Sequence, residues 1–155
     1  MADTYTQLYY HVVFAVRNRE SLITQKIKTD LYRYITGIVK GQHQFLVAIN
    51  GMPDHIHLLL SCKPDIKLSD LVKEIKEHSN KFINESGHLH GRFYWQAGYG
   101  AFSVSKSESA RVIEYIKGQE EHHKKSTFRQ EYLKMLHENE VMYMEKYVFD
   151  FELNE

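Results

Sequence analysis

A chain of 155 residues and 18.4 kDa suits one domain around one core, and its 43% hydrophobic and 26% charged residues are ordinary for a soluble globular protein. No apolar run approaches the roughly 20 residues of a membrane span. Met1 to Tyr10 lacks the basic start and apolar stretch of a secretory signal, and a lone cysteine, Cys62, excludes an internal disulfide framework. A cytoplasmic protein is expected. Twenty basic residues balance 20 acidic ones, but Gln130 to Glu155 holds two basic and seven acidic residues. The remainder therefore carries an excess of five positive charges, too modest to identify a partner.

In chain order, Tyr5 to Val16 is rich in Tyr, Val and Phe without a helix breaker and reads as a strand. Leu22, Ile23, Ile27, Leu31, Ile35, Ile38 and Val39 recur at three and four residues, which predicts a helix over 22–40. Phe45 to Asn50 and His55 to Ser61 form a strand pair around the turn residues Gly51-Met52-Pro53-Asp54. A second helix is predicted over 69–84, and an aromatic, glycine-bearing strand over 93–104. Helices follow over 107–124, carrying Tyr115, and over 128–139, with an extended tail from Val141 to Phe151.

The first six elements match the split βαβ, ferredoxin-like pattern of an α+β protein: an antiparallel four-stranded sheet with helices on one face, here followed by C-terminal helices carrying the tyrosine. The whole chain, 1–155, is read as one domain, with a catalytic core over about 5–125 and a C-terminal helix and tail over 126–155. Ile56, Leu58 and Leu60 are expected to face the helices, leaving His55 and His57 on a free sheet face.

His55-Ile56-His57 is a two-residue display, because a strand places residues i and i+2 on one face. Tyr115 and Gln119 are another, because a helix places i and i+4 together. Two imidazoles can share a divalent cation, and the amide oxygen of Gln119 can add a third ligand while leaving positions for a substrate oxygen. A phenol with a pKa of about 10 is a poor nucleophile unless a cation or base lies beside it. Attack on a phosphodiester held at such a site would leave a phosphotyrosine that conserves the bond for rejoining. With ten histidines and 11 tyrosines in the chain, no one of these residues is specific alone. His122 and His123 read as the polar end of a helix, where imidazolium suits the dipole. Trp95, Gln96, Tyr99 and Phe102 offer faces for unpaired bases, with core packing expected for at least half.

Three separated segments, Met52-Pro53-Asp54-His55-Ile56-His57-Leu58-Leu59-Leu60, Trp95 to Ser105, and Val112 through Tyr115, Gln119 and Glu121-His122-His123, resemble the single-tyrosine HUH transposases of single-strand insertion sequences. The resemblance runs from Tyr10-His11-Val12-Val13-Phe14 to the paired histidines. It implies a metal-dependent, site-specific single-stranded DNA transposase that cleaves and rejoins insertion-sequence ends. His55, His57 and Gln119 would hold Mg2+ or Mn2+, and Tyr115 would form a 5′-phosphotyrosine. It also implies a homodimer that recognises DNA hairpins, with the tyrosine helix completing the partner's site. Gly118 departs from the Asn that relatives often carry, which loosens the turn presenting Gln119. Other readings are a replication or conjugation initiator, a domesticated hairpin-processing relative, and a catalytically silent single-strand or hairpin-binding module using the open sheet face.

Overall fold

The computed structural model describes residues 3–149. Four antiparallel strands, β1 (Leu8–Ala15), β2 (Phe45–Met52), β3 (His55–Cys62) and β4 (Gly100–Val104), form one sheet in the order β2-β3-β1-β4. Two helices, α1 (Gln25–Gly41) and α2 (Leu68–Glu85), connect β1 to β2 and β3 to β4, giving the ferredoxin-like α+β arrangement. Each buries one stripe: Ile27, Leu31, Ile35 and Val39 from α1, and Leu71, Val72, Ile75 and Ile83 from α2. These stripes meet Val12, Phe14, Ile56, Leu58 and Leu60 on one sheet face. Full burial of each such side chain stabilises by about 1.5–3 kcal/mol, so this face forms the main core.

The opposite face is not free. Three further helices, α3 (Ser109–Lys117), α4 (Gln119–His122) and α5 (Phe128–Glu138), follow β4. Phe128, Tyr132, Met135 and Leu136 of α5 pack on Val13, Ala15 and Phe102, while Ile116 of α3 packs with Ala48 and Leu59. The apolar alternation of β3 predicts one covered face; the second cover comes from residues distant in sequence. β3 is consequently buried along nearly its whole length, and His55 and His57 have no exposed surface.

The strand expected over 93–104 is paired only from Gly100 to Val104, with an isolated bridge between Val16 and Trp95. Phe93 and Trp95 of the aromatic segment before it belong to the core. Trp95 sets its ring edge-to-face against Phe14 and Phe93 at 4.8 and 4.9 Å between centroids, and its indole N–H donates to Ser79 Oγ at 2.9 Å. Gln96 ties this segment to β1: its amide oxygen accepts from Ala15 N at 2.7 Å, and its backbone N–H donates to Ala15 O at 2.9 Å. Trp95 and Gln96 are thus structural residues.

A capping box starts α5. Thr127 Oγ1 accepts from Gln130 N at 3.2 Å, and Gln130 Oε1 accepts from Thr127 N at 3.0 Å. The tail is a short 3-10 turn at Glu145–Tyr147 rather than extended, and Phe149 packs against Phe128 and Tyr132. Residues 150 and 151, the end of the expected extended tail, lie outside the described residues.

Gly100 lets α5 approach β4: a Cβ there would stand 2.6 and 2.8 Å from Tyr132 ring and hydroxyl atoms. Gly100→Val is expected to cost about 1–3 kcal/mol through overpacking. Amide hydrogen exchange should accelerate across 128–138 while α1 and α2 keep their protection; unchanged protection in α5 would refute this packing role. Cys62 is buried and its thiol is pushed up to about 11 by burial. Alkylation by iodoacetamide at pH 8 should proceed only after denaturant unfolds the chain.

Candidate active site

His55 and His57 lie at the start of β3 and point to the face covered by α3 to α5. Each has its Nδ1 atom engaged. His55 Nδ1 donates to Asp54 Oδ1 at 2.7 Å, and His57 Nδ1 lies 2.8 Å from His11 Nε2. The His55 ring stacks on Phe128, with centroids 4.0 Å apart and planes 13° apart. The second nitrogen of both histidines therefore aims at the space between the sheet and α5. Such engagement of one ring nitrogen fixes which atom can act as a ligand.

Tyr115 and Gln119 do not share one helix. Gly118 leaves helical geometry at φ −87° and ψ 18°, separating α3 from α4, and a Cβ there would come within 3.2 Å of Glu114 O. Asn50 Nδ2 donates to Lys117 O at 3.0 Å and pins this break to β2. Both side chains still reach the histidine pair. Gln119 is fully buried with its Oε1 3.1 Å from His55 Nε2, and the Tyr115 ring lies 5.8 Å from the His57 ring of the same chain. All four residues singled out from the sequence thus converge.

Two further residues stand at the centre. Glu131, 2% exposed, sends Oε1 toward the Nε2 atoms of His57 at 3.1 Å, His123 at 3.0 Å and His55 at 3.4 Å. Its Oε2 accepts from Gln119 Nε2 at 3.1 Å and from the Tyr115 hydroxyl. His123 is not a solvated helix end: it donates from Nδ1 to Ser126 O at 2.8 Å and directs Nε2 to Gln119 Oε1 at 3.1 Å. His122, by contrast, is a third exposed and stands at the edge, with Nε2 3.5 Å from the Tyr115 hydroxyl. In the sequence Glu131 stands only as one of the acidic residues of the tail. The signal that marks it is its position among Phe128, Tyr132, Met135 and Leu136: a carboxylate on the buried stripe of α5.

The electrostatics follow from burial and from these contacts. Burial lowers His55, but the hydrogen bonds to Asp54 and Glu131 outweigh it and raise the imidazole to about 9. His57 is lowered by burial despite Glu131, and His11 is lowered by burial and by His57 to about 3, so it is neutral. Burial would raise Glu131, yet the hydrogen bonds from His123, His55 and His57 hold its carboxyl well below the usual range. Burial and the adjacent Glu131 carboxylate push the Tyr115 phenol up.

This donor set suits a cation. With Nδ1–H given to Asp54 and to Ser126 O, His55 and His123 each turn Nε2 toward oxygen atoms that are themselves acceptors. Either a proton or a metal ion must lie between them. His55, His57 and Glu131 can offer one donor atom each with all three atoms within 4.8 Å of one another. A cleft of about 740 Å3 opens beside the cluster, with Tyr115, His122 and Glu131 on its wall and Ser103, Arg111 and Lys134 around it.

Comparison with known proteins agrees with the geometry. The model of the family described as "Transposase IS200 like" matches residues 4–119. The ISDra2 transposase TnpA of Deinococcus radiodurans is 28% identical over 118 residues, covering 73% of this chain and 84% of that protein. The transposase for insertion sequence element IS200 of Salmonella typhimurium is 26% identical over 129 residues, covering 80% of this chain and 84% of the relative. Among solved structures, one assigned as a Deinococcus radiodurans transposase superposes with a TM-score of 0.62 at 26% identity, covering 77% of this chain and 95% of that one. A REP-associated tyrosine transposase bound to a REP hairpin shares the fold at TM-score 0.57 and 17% identity, covering 76% of this chain and 70% of that one. With its four-stranded sheet, its buried histidine pair and a family match across three quarters of its length, the chain belongs to the IS200-like transposases.

Proposed function

We propose that this transposase cleaves and rejoins single-stranded DNA by transesterification through Tyr115, in a reaction that depends on a divalent cation, Mg2+ or Mn2+. The observation that carries this reading is the convergence of His55, His57 and Gln119 on one face beside the Tyr115 hydroxyl. His55, His57 and Gln119 would hold the cation. When bound, it polarises the scissile phosphate and offsets charge on the leaving oxygen.

The protein's own residues supply the rest. The phenol resists ionisation in its buried setting, so its proton must pass to a neighbour as attack begins. Glu131 Oε2 accepts the hydroxyl hydrogen bond, and His122 Nε2 stands 3.5 Å from the same oxygen. As the proton moves to one of these two acceptors, Tyr115 Oη forms a bond to phosphorus and the bond from phosphorus to the 3′ oxygen breaks. The strand departs with a 3′-hydroxyl after taking a proton from solvent, and the 5′-phosphate stays on the tyrosine. Attack by a second 3′-hydroxyl reverses the same steps and returns the proton to Tyr115.

The DNA partner is proposed to be single strands with hairpins at the element's ends, in keeping with the hairpin bound by the REP-associated neighbour. The family resemblance implies a homodimer with an exchanged tyrosine helix. Within one chain Tyr115 meets Glu131 and lies near the His57 ring.

Incubated with end-labelled single strands from its own element's ends, the protein should give a covalent adduct on a denaturing gel with Mg2+ or Mn2+, and none with chelator. Tyr115→Phe is expected to remove the adduct entirely and leave hairpin binding within about twofold. Adduct formation by that variant would overturn the nucleophile. His57→Ala should abolish cleavage and its metal dependence together; hairpin binding by wild type with no adduct under any metal would instead indicate a silent binding module.

A further inference from the structure

Resting on the reading of single-stranded DNA as substrate, but on neither the nucleophile nor the cation, we propose that Arg17, Arg19, Arg92 and Tyr94 form a second DNA contact. It holds the phosphate backbone of the single strand that adjoins the cleaved phosphate and stacks one of its bases. All four residues lie outside the cleft lined by Tyr115 and Glu131. Arg17 and Arg19 follow β1, and Arg92 and Tyr94 precede β4.

Backbone pairing assembles this surface. Arg17 N donates to Tyr94 O at 2.9 Å, next to the bridge between Val16 and Trp95. Alternation along the bridged stretch buries Phe93 and Trp95 and leaves Arg92 and Tyr94 outside, with Tyr94 40% exposed. The Arg17 and Arg92 guanidinium carbons stand 5.3 and 5.8 Å from the centroid of the Tyr94 ring. Arg19 is seated in the same way, 4.6 Å from the centroid of Phe149. Rings that hold guanidinium groups in place reduce the side-chain entropy lost when those groups grip a phosphate. The turn between the arginines is itself unusual: Asn18 and Arg19 are consecutive non-glycine residues in the left-handed region, at φ 59° and 53°. A conformation of that kind persists where its surroundings fix it, and it concentrates at binding sites. Here it brings Arg17 to one ring and Arg19 to another.

Charge favours a polyanion at this place. Glu108, Glu131 and Glu138 outnumber Arg111 and Lys134 in the lining of the cleft, so the strand entering it needs positive charge close by. Arg17, Arg19 and Arg92 supply it, and a guanidinium matches the paired oxygens of a phosphate.

The surface lies at the His55 end of the catalytic centre. Val16 N donates to Asp54 O at 2.8 Å, and Asp54 in turn accepts from His55. From Arg19 a run of rings leads inward: Phe149 packs on Phe128 at 5.7 Å between centroids, and Phe128 stacks on His55 at 4.0 Å. A strand whose phosphate sits at His55 and His57 therefore reaches the arginines within a few nucleotides. A hairpin stem has its bases paired and stacked, and offers phosphates but no free base face to Tyr94. A single strand offers both.

Fluorescence anisotropy with chelator present tests this without turnover, using two labelled probes: a hairpin from the element's own end, and the same hairpin extended by the single strand that spans the cleavage site. Wild type should bind the extended probe at least about tenfold more tightly than the hairpin alone. The double variant Arg17→Ala/Arg92→Ala should lose most of that gain, and its dependence of log Kd on log salt should flatten by roughly 0.7 for each phosphate contact removed. Tyr94→Leu should weaken the extended probe by about fivefold or more with an unchanged salt slope, because stacking carries no counterion release. Both variants should keep the hairpin alone within about twofold. Equal weakening of the two probes would assign the surface to the stem and overturn this inference, as would a gain that survives in the double variant. Failure of wild type to bind either probe would overturn the substrate reading along with it, whereas the expected binding pattern without any covalent adduct would uphold this surface and overturn the nucleophile.

Discussion

The structure turns on one buried carboxylate. Glu131 sits on the apolar stripe of α5, between Phe128 and Tyr132, with almost no solvent contact. An uncompensated charge in such a place is strongly unfavourable, and removing one partner of a buried pair typically costs about 3–5 kcal/mol. The helix can dock only because its carboxylate meets His55, His57 and His123 on one oxygen and the amide of Gln119 and phenol of Tyr115 on the other. Assembly of the site and closure of the C-terminal layer are therefore the same event.

That coupling explains the division of labour in the sheet. One face of β3 contributes Ile56, Leu58 and Leu60 to a core completed by α1 and α2, independent of anything polar. The other face contributes His55 and His57 and is covered by helices that bring their own polar side chains to match. The first layer supplies a rigid platform, and the second brings Tyr115, Gln119, His123 and Glu131 to it. Gly118 mediates between them: breaking the helix there leaves Tyr115 in the last turn of α3 and lets Gln119 begin α4, with Asn50 holding the junction. Functional groups on packed helices and strands are placed more tightly than groups on loops.

Basic side chains around the cleft are paired with acidic ones. Arg111 pairs with Glu108 at 2.5 Å, and Lys134 with Glu138 at 3.7 Å, all four lining the cleft. Exposed pairs of this kind contribute about 0–1 kcal/mol, so a phosphate can compete for the cations at little cost. A nucleic-acid substrate does not require a large net positive charge when basic residues around the cleft can exchange partners.

Much of this was legible in the chain. The alternation in Ile56, Leu58 and Leu60 and the three-four spacing in α1 and α2 specify local structure and a buried face, because strand and helix periods are set by the backbone. The order of elements then leaves the ferredoxin-like sheet as the fold, and the motifs around His55, His57, Tyr115 and Gln119 mark the family. What the residues could not reveal was the cover on the second sheet face, because it depends on which distant apolar stripe fits Val13, Ala15 and Phe102. The short extent of β4 was hidden for the same reason: the aromatic run before it reads as strand, but Trp95 finds Ser79 and the core instead. Glu131 and His123 look solvated in isolation, one in an acidic tail and the other at a helix end. Only tertiary packing, which sets both beside His55 and His57, turns them from solvated side chains into parts of the site, since a side chain's chemistry is set by what desolvates and contacts it.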